Sequence, residues 1–149
     1  MIYHGHSSSV WQLQFAPLGG YFASCSADRT ANVWVLKNSQ PLRILAGQGG
    51  HLNDVEAVEW HPNMHYVATG SSDKQVIIWD VDSGNQVLQF MTVAGTVTSL
   101  KFNREGTLLL AGNDAGELVI FDVLEGVPLD VVKTQQDKAI WSLDISWED

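Results

Sequence analysis

The strongest constraint on this chain is a repeat with a 45-residue period. His6, Val10, Phe15, Ser24, Asp28 and Trp34 return, each 45 residues later, as His51, Val55, Trp60, Thr69, Asp73 and Trp79. Six coincident offsets that preserve chemical type are hard to obtain by chance. A period in the range of about 20 to 50 residues means one supersecondary unit stacked on copies of itself, since a single unit cannot bury its apolar face alone. The chain should therefore fold as an array of similar sheets.

Each unit reads as four short strands, a to d. In the first, Val10, Gln12 and Gln14 alternate with Trp11, Leu13 and Phe15, and Pro17-Leu18-Gly19-Gly20 supplies a turn. Tyr21–Ser26 follows as strand b, Asp28-Arg29 as a turn, Ala31–Leu36 as strand c and Pro41–Ala46 as outer strand d. The second unit runs from Gly50, closes its third strand on Trp79-Asp80, turns at Asp82-Ser83-Gly84-Asn85 and ends with strand d at Gln86–Phe90.

The third unit keeps the apolar register but not the polar one. Val97, Phe102 and Phe121 lie 42 residues after Val55, Trp60 and Trp79. That register puts Val93, Ala111, Ala115 and Phe121 where the second unit has His51, Thr69, Asp73 and Trp79. Asp114 resembles the missing acid but is out of step by one, and the tight turn should point it elsewhere. Ile140, Leu143 and Ile145 then resume the strand a pattern, with Ile140 43 residues after Val97. The expected fold is all-β: three four-stranded antiparallel sheets at 5–46, 50–91 and 93–133, and the first strand of a fourth at 137–149.

Composition narrows the partners. With 45% hydrophobic and 17% charged residues the chain can pack a core, and no apolar run approaches the roughly 18 residues that span a bilayer. The first residues lack a secretory signature. A soluble, intracellular protein is expected, with no membrane partner. Cys25 is the single cysteine, which excludes an intrachain disulfide framework and a cysteine-rich zinc site. The net charge of −9, from 17 acidic and 8 basic residues scattered singly, argues against direct nucleic-acid binding. The acidity serves solubility or a basic protein partner.

His6, Ser24 and Asp28 contain the parts of a nucleophilic triad. A hydrogen-bond chain accounts for them better. Tryptophan only donates and aspartate only accepts, so a hydroxyl and an imidazole can relay between them, as His6, Ser24, Asp28 and Trp34, and again as His51, Thr69, Asp73 and Trp79. An active site would not recur at the repeat spacing, so no catalytic residue is expected. His61 and His65 have a metal-like spacing of four, but they fall at a turn with no third ligand nearby in sequence, so no metal is expected. Gly47, Gly49 and Gly50 lack the strand-to-helix setting of a phosphate loop, and no cofactor or small-molecule substrate is expected. Trp11, Trp141 and Trp147 have two open readings: packing between sheets, or protein-binding hot spots at a rim.

Gly-His followed after about 30 residues by Trp-Asp, within a unit of about 40 to 45, resembles the WD-repeat (WD40) family across essentially the whole chain. The resemblance implies a β-propeller of about 4 to 8 blades, so the chain is expected to be part of a longer polypeptide, or to close by pairing with another chain. The words GHSSSVWQLQFAPLGGYFASCSADRTANVW, QPLRILAG and HPNMHYVATGSSDKQVIIWDVDSGN are similar to the WD-repeat TATA-binding-protein-associated factors, the subunit-five members of transcription factor TFIID. This likeness implies a nuclear, non-enzymatic scaffold supporting RNA polymerase II initiation, with histone-fold partners in TFIID or SAGA-type complexes. The insertion Gln48-Gly49-Gly50 and the altered third unit depart from the family's usual pattern. The rival reading is a generic adaptor or peptide-binding propeller, such as a ubiquitin-ligase substrate receptor. Such receptors commonly carry an arginine two residues after Trp-Asp, where this chain has Asp82.

Overall fold

The computed structural model describes residues 1–92, 94–134 and 138–146. Among these residues twelve strands form three antiparallel sheets, each in chain order. The first holds β1 (Val10–Phe15), β2 (Tyr21–Ser26), β3 (Ala31–Val35) and β4 (Arg43–Leu45). The second holds β5 (Val55–Trp60), β6 (Tyr66–Ser71), β7 (Gln75–Asp80) and β8 (Gln86–Met91). The third holds β9 (Val97–Phe102), β10 (Leu108–Asn113), β11 (Glu117–Asp122) and β12 (Val127–Lys133). No helix occurs among the described residues. The three sheets are the expected ones, except that the outer strand of the first is shorter than Pro41–Ala46; the expected opening strand of a fourth sheet is not formed by residues 138–146. Pro41 has no amide to donate, so regular pairing begins at Arg43, facing Val33.

The repeat is visible in backbone conformation as well as sequence. The turn between the first two strands of each sheet carries a left-handed residue, Gly19, Met64 and Gly106 in succession. The next turn repeats this with Arg29, Lys74 and Gly116. A bulge also recurs near the start of each inner strand: Val10 pairs with Ser26 and Gln12 with Cys25, Val55 with Ser71 and Ala57 with Gly70, and Val97 with Asn113 and Ser99 with Gly112. The extra residue is Trp11, Glu56 and Thr98 in turn.

The sheets stack with β5 between β1 and β9. Because side chains alternate along a strand, the middle sheet is buried on both faces. Val67, Ile77 and Trp79 join Val33 and Leu45 in one apolar cluster. Ala68, Val76 and Ile78 join Leu100, Leu109 and Phe121 in the other. The two interfaces fill the same site differently. Leu45 accompanies Trp79 in the first cluster, whereas in the second Phe90 occupies the Leu45 register position and stacks on Phe121, with ring centroids 4.4 Å apart. The larger Phe90 compensates for a phenylalanine at the tryptophan position, which conserves volume at the joint.

Residues 138–146 form no ladder. They are tied to the third sheet where the Ile140 amide donates to the Asn113 carbonyl at 2.9 Å and Ser99 Oγ donates to the Ile140 carbonyl at 3.0 Å.

Candidate functional site

In the second sheet the indole Nε1–H of Trp79 donates to Thr69 Oγ1 at 2.8 Å, and His51 Nε2 lies 2.7 Å from the same hydroxyl. His51 Nδ1 lies 3.0 Å from Asp73 Oδ2. A carboxylate can only accept, so Nδ1 carries the proton and Nε2 accepts from the threonine hydroxyl. The direction is therefore fixed: Trp79 to Thr69, Thr69 to His51, His51 to Asp73. The first sheet reproduces it with Trp34 Nε1 to Ser24 Oγ at 2.8 Å, Ser24 Oγ to His6 Nε2 at 2.7 Å and His6 Nδ1 to Asp28 Oδ2 at 2.9 Å.

The acids also clamp the loop before each inner strand. Asp28 Oδ2 accepts the Ser7 amide at 3.0 Å, and Asp73 Oδ2 accepts the Leu52 amide at 2.9 Å. Burial alone would raise both carboxyl pKa values. The bonds from Thr30, His6 and Ser7 to Asp28, and from His51 and Leu52 to Asp73, outweigh it and hold both below the ordinary aspartate value. Each hydroxyl sits between a tryptophan donor and an imidazole acceptor that serves the acid, so it is fully engaged and is not a free nucleophile.

The third sheet has no relay among its described members, and Val93 lies outside the described residues. Ala111 and Phe121 are buried and Ala115 is exposed. The expectation that Asp114 points elsewhere needs correcting. Its Oδ1 accepts the Thr96 amide at 2.8 Å, so it clamps the loop before β9 as Asp28 and Asp73 clamp theirs. The one-residue displacement at the acid is matched by a displaced amide in the loop.

His61 and His65 diverge. His61 is buried, with Nδ1 accepting the Asn63 amide at 3.1 Å and Nε2 donating to the Gly106 carbonyl at 3.1 Å, so both ring nitrogens are engaged. His65 is exposed beside Asp82. Gly47 and Gly50 close a turn on each other, with the Gly50 amide donating to the Gly47 carbonyl at 2.9 Å. Burial pushes the Cys25 thiol up to about 12, which leaves it unreactive.

Trp11 and Trp141 are not packed between sheets, being 56% and 73% exposed. Trp147 lies outside the described residues. Both described tryptophans line the inner edge of the array, where Trp11 Nε1 donates to Asp54 Oδ2 at 3.3 Å. Inner-edge polar groups were missed by sequence reasoning, although the same offsets could have found them. Gln14, Glu59, Lys101 and Asp144 share one register position. Lys101 Nζ lies 3.7 Å from both Glu59 and Asp144. Burial pushes Glu59 up to about 7 despite the Lys101 ammonium. Gln12 Oε1 accepts the Val58 amide at 2.8 Å, satisfying a donor that faces away from the β6 ladder.

Four-stranded blades, each laid against the next and the first two pinned by a Trp-Ser/Thr-His-Asp chain, define a β-propeller repeat protein. The chain belongs to the WD40 family: the model of the WD domain, G-beta repeat, matches residues 1–35 and 39–80. It is 40% identical over 114 residues to transcription initiation factor TFIID subunit 5 of Caenorhabditis elegans, an alignment covering 76% of this chain and 17% of that protein. It is 29% identical over 158 residues to the F-box-like/WD repeat-containing protein TBL1X of Homo sapiens, covering 99% of this chain and 27% of the relative. The crystal structure of the RRP9 WD40 repeats superposes with a TM-score of 0.85 at 21% identity, covering 93% of this chain and 42% of that one, a likeness of fold. The chain thus spans well under two thirds of each.

Proposed function

We propose that this chain is a section of a non-enzymatic, nuclear scaffold that supports assembly of the RNA polymerase II initiation complex within a TFIID-type particle. The observation that carries the reading is the 40% identity to a TFIID subunit 5. The relay residues His6, Ser24, Asp28, Trp34, His51, Thr69, Asp73 and Trp79 fit a supporting role, because they rigidify the blades that present a surface. Histone-fold subunits of TFIID or SAGA-type complexes are the partners this reading implies.

The blade divisions at 5–46, 50–91 and 93–133, with a fourth beginning at 137–149, belong to the same proposal. A Cβ on Gly70 would collide with Val97 of the next inner strand, and a Cβ on Gly112, at the matching register, would collide with Ile140. The segment holding Ile140 is therefore seated against the third sheet much as β9 is seated against the second.

Mild-salt affinity purification of the tagged protein from nuclear extract, with mass spectrometry of what accompanies it, tests the reading. Near-stoichiometric TFIID and histone-fold subunits are expected. Recovery of ligase subunits instead would favour a generic adaptor, the second reading. The likeness to the F-box-like protein TBL1X supports that reading, while Asp82, standing where ligase receptors commonly carry arginine, weighs against it.

A further inference from the structure

The three bulged residues of the inner strands converge on one pocket. A bulge leaves its extra residue out of the ladder and re-aims its side chain. Trp11, Glu56 and Thr98 are those residues in β1, β5 and β9, and Trp141 follows Thr98 as Ile140 follows Val97, 43 residues on. With Gln12, these four side chains line a cavity of about 190 Å³, room for one long side chain.

The lining has a definite chemistry. Two indoles present electron-rich faces, to which a cation is attracted. Glu56 has no hydrogen-bond or ion-pair partner among the described residues, while Asp54 and Asp114 lie near enough to act on it electrostatically. The inner-edge ammonium of Lys101 is already shared by Glu59 and Asp144. The pocket is thus left with uncompensated negative charge, and the Asp54 carboxylate holds the Trp11 ring through its Nε1–H. An apolar guest would strand Glu56, and a phosphate would be repelled.

We propose that this pocket takes one cationic side chain, arginine or lysine, from a basic segment of a protein partner, with Trp11 and Trp141 against its flanks and Glu56 at its charge. The inference rests on the scaffold reading, since it supplies one contact by which such a scaffold holds a partner.

The test follows the tryptophan indole Nε1–H resonances of the full chain by NMR. The probes are acetyl-Gly-Ser-Gly-Xaa-Gly-Ser-Gly-amide peptides, with arginine, lysine, citrulline or norleucine at Xaa, titrated to about 10 mM, where even millimolar affinity registers. Saturable shifts of Trp11 and Trp141 are expected with arginine or lysine and not with the two neutral residues. The tighter of the two identifies the cation. Glu56→Gln, with other amide resonances unmoved, should weaken binding by about tenfold or more, the loss expected when one partner of a desolvated charge pair is removed. Trp141→Leu should weaken it too. Equal shifts with norleucine, no shift with either cation, or an unaffected Glu56→Gln variant would each overturn the proposal. If the indoles ignore both cations while TFIID subunits still co-purify, the pocket assignment fails and the scaffold reading stands. A cation-responsive pocket without those subunits gives the reverse.

Discussion

Replacing Thr69 by alanine, the residue at its register position in the third blade, removes the hydroxyl that serves both Trp79 and His51. Trp79 is 2% exposed and His51 8%, so neither the indole N–H nor imidazole Nε2 can turn to water. Each orphaned group costs about 1 to 3 kcal/mol. The lost methyl group adds about 1 kcal/mol. Thr69→Ala should therefore destabilise by about 3 to 7 kcal/mol, a large part of the stability of an ordinary domain. The informative comparison is a graft of the third blade's solution: Leu45→Phe, His51→Val, Thr69→Ala, Ser72→Asp, Asp73→Ala and Trp79→Phe together. It removes every relay member, restores the joint volume through the phenylalanine pair and restores the loop clamp through the displaced acid. Groups that act as a network are strongly non-additive, so the graft should lose no more than about 2 kcal/mol. Urea unfolding followed by far-ultraviolet circular dichroism reads both variants. A graft less stable than Thr69→Ala alone would refute the argument that the third blade lost its relay coherently.

Four further outcomes follow from particular sites. Glu59 titrates near 7 in the folded protein against about 4.5 unfolded, so the folded state binds the extra proton between these values and stability falls as pH rises through that window. Glu59→Gln should flatten this slope and stabilise by at most about 3 kcal/mol above pH 7, read from thermal midpoints across pH. Asn32 is fully buried, and neither its Nδ2 nor its Oδ1 finds a partner among the described residues, while the second blade has Ile77 at that register. Asn32→Val should stabilise by about 1 to 3 kcal/mol in urea unfolding, and a loss would show that the amide is satisfied after all. Lys74 holds a left-handed φ of 68° where the third blade has Gly116, so Lys74→Gly should stabilise by up to about 1 kcal/mol in the same assay, less the added unfolded-chain entropy. Gly112→Ala should cost about 1 to 3 kcal/mol and raise hydrogen exchange at Ile140, because its Cβ would drive that side chain away.

The blade pattern was legible because burial and hydrogen bonding impose it on every copy. His6 and His51, or Trp34 and Trp79, each have one chemically sensible set of partners, and spacing alone identifies it. Less was legible where local geometry can trade positions. Asp114 looks misplaced by register, yet a turn that shifts its acid by one residue shifts the amide it meets, and only the folded structure reveals that the clamp survives. Gln12, Glu59 and Lys101 read as ordinary polar positions of alternating strands. Their roles depend on the neighbouring blade, which supplies the Val58 amide to Gln12 and joins Glu59 to Lys101.

The same distinction separates what holds these blades from what they can display. At the relay, the first two blades share nearly identical groups, since any departure strands a buried donor or acceptor. At the bulge the three strands carry tryptophan, glutamate and threonine, with a second tryptophan at the next matching position. The backbone irregularity is retained while its side chain varies freely. A purely structural bulge would favour similar residues in each copy, because each would meet the same surroundings. Divergence at a position that the fold repeatedly turns toward one pocket is what a recognition surface requires: the scaffold fixes the directions, and unlike side chains along them give the pocket its selectivity.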